Sequence, residues 1–152
     1  MTGVASFAAV FAGLYAAHQV ADHWVQTDHQ AANKAKPGRV GRLACLAHVG
    51  TYTLTAVVAL APLKLLLGLE LEPVSLVLGL LVSAVTHYVA DRRFPLRKLA
   101  EATGHHTFVN LGAPRADHDD KPCLGTDMYA LDQSFHIGWL FIASVIIAGG
   151  AA

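Results

Sequence analysis

The sequence predicts an all-α polytopic membrane protein with four transmembrane helices. Hydrophobic residues make up 54% of the chain and charged residues only 14%, against about 25% charged in a typical soluble domain. Four windows, residues 1–21, 43–63, 73–90 and 133–152, contain no Asp, Glu, Lys or Arg, and each is close to the roughly 20 residues that cross a bilayer. A soluble four-helix bundle would need a polar face on every helix, and the apolar runs leave none.

The helices are expected within a single integral membrane domain covering residues 1–152. We place them at about residues 4–24, 43–67, 73–91 and 127–148, with a long polar loop at 92–126. The first helix is expected to continue in polar form to Ala32, and residues 94–101 to form a short interfacial helix. No positive charge precedes the first apolar run, so a cleaved signal peptide is not expected.

The distribution of positive charge predicts the orientation. Ten of the eleven Lys and Arg residues lie in the first and third connections, and only Lys64 lies near the second. The positive-inside rule therefore places these two connections in the cytoplasm and both termini outside, in a bacterial inner membrane. The formal net charge is zero, so the expected partner is the lipid bilayer and not nucleic acid. Oligomerisation is left open.

Polar residues recur within the apolar helices at one helical turn. His18 and Asp22, His87 and Asp91, and Asp132 and His136 are each four residues apart, so each pair shares a helix face. With the predicted orientation, all of these residues lie at the cytoplasmic end of their helices, as does one further histidine in the second helix. We call this set the His/Asp cluster, and its members are His18, Asp22, His48, His87, Asp91, Asp132 and His136.

The chemistry of the His/Asp cluster favours a metal site. Ionisable side chains in spanning helices are costly, at about 2.5–3.5 kcal/mol for an Asp at the helix centre, and normally pair in the bundle interior. Nitrogen and oxygen ligands without thiolate suit Zn, Mn, Fe or Ni. Four His and three Asp exceed the usual three protein ligands of a catalytic zinc, so one or two divalent ions are expected. The alternative is a hydrogen-bonded cluster that only fixes helix packing.

Other polar residues divide into a rim and a solvated loop. Gln26, Asp28 and Gln133 lie near the cluster and are candidates to bind substrate or to orient a ligand, or to hydrogen-bond between helices. A second group of His and Asp residues has metal-binding chemistry, but its setting is typical of a solvated loop. This group is His105, His106, Asp117, His118, Asp119 and Asp120.

The remaining notable side chains have ordinary interpretations. Cys45 lies in an apolar stretch and is expected in the core, Cys123 lies in a polar loop, and no disulfide is indicated. His23 and His29 fall off the cluster's helix face and are expected at the interface. Four basic residues after the third helix are expected to anchor to anionic headgroups, or to attract an anionic substrate; they are Arg92, Arg93, Arg97 and Lys98.

The ordered motifs resemble those of a known family. The motifs run from His18-x-x-x-Asp22-x-x-x-Gln26-Thr-Asp28 through His48 and His87-x-x-x-Asp91 to Leu131-Asp132-Gln133-x-x-His136. Together they resemble an uncharacterised family of small bacterial and phage integral membrane proteins, a domain of unknown function. This resemblance implies a polytopic helical membrane protein and supplies no activity. A looser similarity is to the membrane-bound metal-dependent hydrolases of bacteria.

Three functions follow as hypotheses. The first is a metal-dependent hydrolase at the cytoplasmic membrane face, acting on a phosphoester or lipid-linked substrate through metal-activated water. The second is metal or proton transport, which would require polar residues across the whole bilayer; the second and fourth helices are apolar beyond their inner third. The third is a structural or regulatory membrane subunit whose polar cluster only fixes packing.

Overall fold

The described part of the chain folds into four long α-helices and two short ones. The computed structural model describes residues 3–121 and 125–150, and within these ranges all regular structure is helical. The long helices are α1 (Gly3–Val20), α3 (Gly38–Leu65), α4 (Pro73–Asp91) and α6 (Thr126–Gly149). The short helices are α2 (Asp28–Asn33) and α5 (Phe94–Ala102), and single turns of π-helix and 3-10 helix occupy Ala21–Val25 and Phe108–Asn110.

Local chemistry determines where the long helices begin. α3 starts at Gly38, five residues before the predicted start, because Pro37 is extended with ψ 164° and ends the preceding turn. α4 starts at Pro73, which suits the first turn of a helix. The Glu72 carboxylate accepts hydrogen bonds from two backbone N–H groups of that turn, at 2.9 and 2.6 Å. These bonds hold the pKa of Glu72 below its usual range.

The four long helices form one bundle. α1 packs against α3 and α6, and α4 packs against the same two helices, so α1 and α4 lie on a diagonal. One half of the interior is apolar and includes Val10, Leu14, Leu60, Leu140 and Ile147. This apolar half lies next to the His/Asp cluster, which occupies the other end of the bundle.

The outer surface of the bundle is apolar, which confirms the predicted fold class. Four helices are long and apolar enough to cross a membrane: Gly3–Val25, Gly38–Leu65, Pro73–Asp91 and Thr126–Gly149. Large side chains such as Leu54, Val58 and Val77 are each 63% exposed. A soluble protein would cover this much contiguous apolar surface, so a lipid bilayer is the environment that these helices fit.

The chain after the first span differs from the predicted continuous helix to Ala32. The π-helical turn ends at Gln26, whose ψ of 127° breaks the helix. Thr27 then caps α2 through a reciprocal capping box, in which the Thr27 hydroxyl and Gln30 amide each accept from the other's backbone N–H. Because of this break, α2 folds against α3 and carries Lys34 toward the His/Asp cluster.

Candidate metal centre

The bundle brings all seven members of the His/Asp cluster to one end of its interior. The C-terminal ends of α1 and α4 meet the N-terminal halves of α3 and α6, because neighbouring helices run antiparallel. Six of the seven residues are buried, and the side chain of the seventh, Asp22, is 9% exposed. Side chains from four different helices thus share a single site.

Ligand atoms of His48, His87 and Asp91 lie close to one another. The Nε2 atoms of His48 and His87 are 3.0 Å apart, and Asp91 Oδ2 is 3.2 and 3.3 Å from these two nitrogens. Ligands of a tetrahedral zinc, with bonds of about 2.0–2.1 Å, lie about 3.3–3.4 Å from one another. The three separations therefore suit three ligands of one cation. Asp22 Oδ1 lies beside the same histidines, 3.3 Å from His48 Nε2 and 3.6 Å from His87 Nε2.

Two further groups of ligands adjoin the first. Atoms of Asp91, Asp132 and His136 lie within 4.8 Å of one another, and so do atoms of His18, Asp22 and His87. His136 Nδ1 donates to its own helix, to the Asp132 carbonyl oxygen at 2.8 Å, so the Nε2 lone pair is left for a ligand. A ring N–H that donates to a carbonyl is the usual way in which a metal-binding His is oriented.

Many polar atoms of the cluster have no hydrogen-bond partner. Each such buried atom costs about 1–3 kcal/mol, and a cation would satisfy those that carry lone pairs. Within the described residues they are His18 Nδ1 and Nε2, Asp22 Oδ1, Gln26 Oε1, His48 Nδ1, His87 Nδ1, Asp91 Oδ2, Asp132 Oδ1 and His136 Nε2. The cluster is thus a set of groups that could hold a metal ion.

Lys34 is a member of the site that sequence reasoning missed. Its Nζ lies 2.8 Å from Asp91 Oδ1, and its side chain is 9% exposed. Arg92 donates to the carbonyl oxygens of Lys34 and Lys36, at 2.5 and 2.6 Å, and so fixes the chain after α2. A Cβ at Gly41 would collide with the Lys36 carbonyl and with Arg92. The sequence places Lys34 only in a basic loop, and no spacing singles it out.

Tyr52 and Ser83 are two further residues of the site that were not predicted. The Tyr52 hydroxyl and the Ser83 hydroxyl are 2.5 Å apart, and the Tyr52 ring stacks on the His87 ring with centroids 4.0 Å apart. A sequence signal for both exists, since Tyr52 follows His48 by four residues and Ser83 precedes His87 by four. These residues bound the cluster on its apolar side.

The rim residues divide between the site and the surface. Gln26 and Gln133 line a cavity of about 230 Å³ that opens onto Asp22, Asp91 and Asp132. The Gln26 amide donates to the Asp22 carbonyl at 3.3 Å, and the Gln133 amide to Asp132 Oδ2 at 3.5 Å. Asp28 is exposed and does not line this cavity, because the chain turns away at Thr27.

The loop residues lie apart from the cluster and are exposed, as the sequence indicates. Asp120 accepts two side-chain hydrogen bonds from Arg115, at 2.9 and 3.1 Å, which hold the pKa of its carboxyl below the usual range. The other members of this group, His105, His106, Asp117, His118 and Asp119, are likewise exposed.

The cysteines and the outlying histidines complete the predicted residues. Cys45 is fully buried, with its Sγ 3.7 Å from the Tyr88 carbonyl, which agrees with a core residue. Cys123 lies outside the described residues. His23 and His29 are exposed, and His23 Nε2 is 3.2 Å from the Tyr129 hydroxyl.

Comparison with protein families gives one match. A family model described as a protein of unknown function, DUF3307, covers residues 10–151. Curated proteins and solved structures give no match. The matched region contains α3, α4 and α6, most of α1, and every member of the His/Asp cluster. The chain therefore belongs to the DUF3307 family.

Proposed function

We propose that this protein is an integral membrane metalloprotein and a metal-dependent hydrolase. One or two divalent transition-metal ions, Zn, Mn, Fe or Ni, bind in the His/Asp cluster at the cytoplasmic face of a bacterial inner membrane. The observation that carries the proposal is the close approach of three ligand atoms from His48, His87 and Asp91, which lie 3.0–3.3 Å from one another.

Metal binding explains the cluster better than hydrogen bonding alone. A structural cluster would pair each imidazole N–H with an acceptor and each carboxylate oxygen with a donor. His18 has no hydrogen-bond partner on either ring nitrogen, and His136 Nε2 has none. Lys34 is the only Lys or Arg among the described residues that forms an ion pair with the cluster. Divalent cations would neutralise the remaining carboxylate charge.

The cavity beside the cluster supports a hydrolase. A bound divalent ion lowers the pKa of its water to about 7, so a hydroxide forms at neutral pH. A metal held by His48, His87 and Asp91 would supply that hydroxide as the nucleophile for ester hydrolysis, in which one water is consumed and an acid and an alcohol are released. The cavity lining contains no Ser, Thr or Cys. The proposal therefore assigns the role of nucleophile to a metal-activated water and not to a side-chain hydroxyl or thiol of these types. The substrate class is a phosphoester or a lipid-linked ester.

The apolar half of the bundle disfavours transport. Val10, Leu14, Leu140, Ala143 and Ile147 fill the interior beyond the cluster, and each is at most 2% exposed. An ion or proton crossing the bilayer needs polar groups or water along its whole path. A transporter would have to open this packed core, whereas a hydrolase at one membrane face leaves it closed.

The metal content of the purified protein tests the proposal. The protein should be purified without chelator and with an affinity tag that contains no histidine, and its metals measured by mass spectrometry. We expect a transition metal near stoichiometry in the wild type and a clear loss in His87→Ala, because His87 is a direct ligand. His118→Ala, in the exposed loop, is the matched control and should keep the wild-type content.

Two results would contradict the proposal. One is a wild-type protein that carries no metal and takes up none of the four candidate ions. The other is a His87→Ala variant that remains folded by circular dichroism yet retains full metal content. Retention of metal without hydrolysis of any phosphoester or acyl ester would reject the hydrolase and keep the metalloprotein. Uptake of the ion by sealed proteoliposomes would instead support transport.

A further inference from the structure

The cavity beside the His/Asp cluster is lined by groups of opposite charge. Three carboxylates, those of Asp22, Asp91 and Asp132, line it together with two cations and several hydrogen-bonding groups. We call this cavity the vestibule, and its other lining residues are His23, Gln26, Ala31, Lys34, Arg93, Tyr129 and Gln133.

The size of the vestibule limits what it can enclose. Its volume of about 230 Å³ exceeds the need of a few water molecules. It is below the about 300–1,000 Å³ of sites that enclose a drug-sized ligand. Ala31 is its only purely aliphatic lining residue, so the vestibule suits a small polar group and not a hydrophobic molecule.

Arg93 lines the vestibule from the turn between α4 and α5 and has an unusual backbone conformation. Its φ of 56° is in the left-handed region, which a non-glycine residue occupies only at a cost. Among the described residues, its guanidinium forms no hydrogen bond or ion pair that would explain this conformation. The side chain of the preceding residue, Arg92, by contrast donates hydrogen bonds to the carbonyl oxygens of Lys34 and Lys36 after α2. Arg93 thus contributes a planar five-donor guanidinium to the lining of the vestibule and of a neighbouring cavity, with no hydrogen-bond or ion-pair partner among the described residues, and such a group suits an oxyanion.

The charge of the vestibule depends on metal. With neutral imidazoles, the three carboxylates outnumber the cations Lys34 and Arg93 by one. A metal-free vestibule therefore repels an anion. A single divalent ion bound by the carboxylates makes the net charge of the vestibule positive, and two ions make it strongly positive.

From these observations we infer that the vestibule binds the phosphate group of the substrate, between the metal site and Arg93. Lys34, fixed beside Asp91, and the amides of Gln26 and Gln133 complete the set of donors. The inference rests on the proposed metal site, since without metal the carboxylates would exclude the phosphate. It assigns the substrate to the phosphoesters and not to acyl esters.

Binding of inorganic phosphate tests the inference on the full-length protein. Calorimetry should compare protein loaded with its metal and freed of excess ion with protein stripped of metal. We expect the metal-loaded form to bind phosphate at least about tenfold more tightly. Arg93→Gln should weaken that binding by about ten- to a hundredfold, as expected for loss of a charge-assisted hydrogen bond, with metal content unchanged.

Two control variants separate local effects from general ones. Lys98→Gln removes a positive charge from α5 that does not line the vestibule, and it should bind phosphate as the wild type does. Arg93→Gly relieves the left-handed backbone, so its folding should be at least as good as that of wild type while phosphate affinity still falls. Loss of affinity in Arg93→Gly therefore cannot be attributed to misfolding.

The results distinguish failure of this inference from failure of the metal site. Metal-loaded protein that binds phosphate no better than metal-free protein overturns the inference and leaves the metalloprotein intact. Equal effects of Arg93→Gln and Lys98→Gln also overturn it. A protein that takes up no metal at all rejects the proposed function, and phosphate binding by that protein would contradict the metal dependence stated here.

A second comparison identifies the source of the phosphate. The protein is placed in lipid nanodiscs that contain either phosphatidic acid or only phosphatidylcholine. If phosphatidic acid competes with inorganic phosphate, the natural ligand is a lipid headgroup phosphate. If phosphate affinity is the same in both discs, the ligand comes from water. Either result supports the phosphate site.

Discussion

Asp91 connects two of the three groups of candidate ligands. Its Oδ1 atom pairs with Lys34 Nζ at 2.8 Å, while Oδ2 lies 3.2 and 3.3 Å from the Nε2 atoms of His48 and His87. Asp91 also belongs to the group with Asp132 and His136. His87 likewise belongs to two groups, but Asp91 is the one carboxylate that does.

Replacement of Asp91 should remove more metal than replacement of Asp22 or Asp132, each of which belongs to one group. We expect Asp91→Asn to lose metal from both groups that contain it, because an amide is a weaker ligand than a carboxylate and carries no charge. The variant also leaves Lys34 buried without its partner, at about 3–5 kcal/mol. The double variant Lys34→Met/Asp91→Asn removes that unpaired charge and should fold while still lacking metal.

The control for this experiment is Asp28→Asn. Asp28 was predicted near the site but lies exposed at the start of α2, so its replacement should leave metal content at the wild-type level. Equal metal loss in Asp28→Asn and in the double variant would show that the effect of Asp91 is not local.

At the scale of elements, the close contact of α4 with α6 holds the site together. A Cβ at Gly79 would lie 2.9 Å from the Ala143 carbonyl oxygen and would collide with the Ile147 side chain. Small residues allow this kind of approach between membrane helices. His87 and Asp91 follow Gly79 on α4, and Asp132 and His136 precede Ala143 on α6, so this contact sets the distance between two pairs of ligands.

A larger side chain at Gly79 should separate α4 from α6. We expect Gly79→Leu to lower the free energy of unfolding by about 1–3 kcal/mol, the usual cost of overpacking, and to reduce metal content as well. Thermal unfolding in detergent and metal analysis measure the two effects. Gly50→Leu is the matched control, since no heavy atom lies within 4 Å of a Cβ there. If both variants unfolded at the same temperature as wild type, the close contact would be unimportant.

The break after α1 is the second element that shapes the site. Asp22 lies in the π-helical turn Ala21–Val25, where Gln26 N donates to the Ala21 carbonyl at 2.8 Å. Single π-turns within helices frequently occur at functional sites. The turn brings Asp22 Oδ1 closer to His48 Nε2, at 3.3 Å, than Asp22 Oδ2 is to His18 Nδ1 of its own helix, at 3.6 Å.

At the scale of the whole molecule, the orientation in the membrane remains a prediction. The basic residues lie at the same end of the bundle as the His/Asp cluster, since Lys34, Arg92 and Arg93 adjoin it. The positive-inside rule therefore predicts a cytoplasmic site. We expect a reporter inserted near Asp119 to be cytoplasmic and a reporter fused after Ala152 to be extracytoplasmic, with protease protection as an independent measurement. The opposite pattern would reverse the orientation without separating the clustered residues.

The spanning helices and the candidate ligands can be predicted from the sequence alone. Absence of charge over four windows of sufficient length indicates four spanning helices, because the bilayer excludes unpaired charges. One-turn spacing places His18 with Asp22, and His87 with Asp91, on common faces, because helix geometry is local. These two patterns predict the seven residues of the His/Asp cluster, and the bundle brings all seven together.

The contacts between side chains of different helices follow only from the tertiary structure. The close contacts of the cluster mostly join different helices, as between His48 and His87, and their distances depend on how the helices pack. Lys34 reaches Asp91 because the chain breaks at Gln26 and α2 folds back, while Asp28 is carried away by the same turn. Helical periodicity describes neighbours on one helix. Packing and irregular turns depend on the whole chain, so no spacing in the sequence could indicate these contacts.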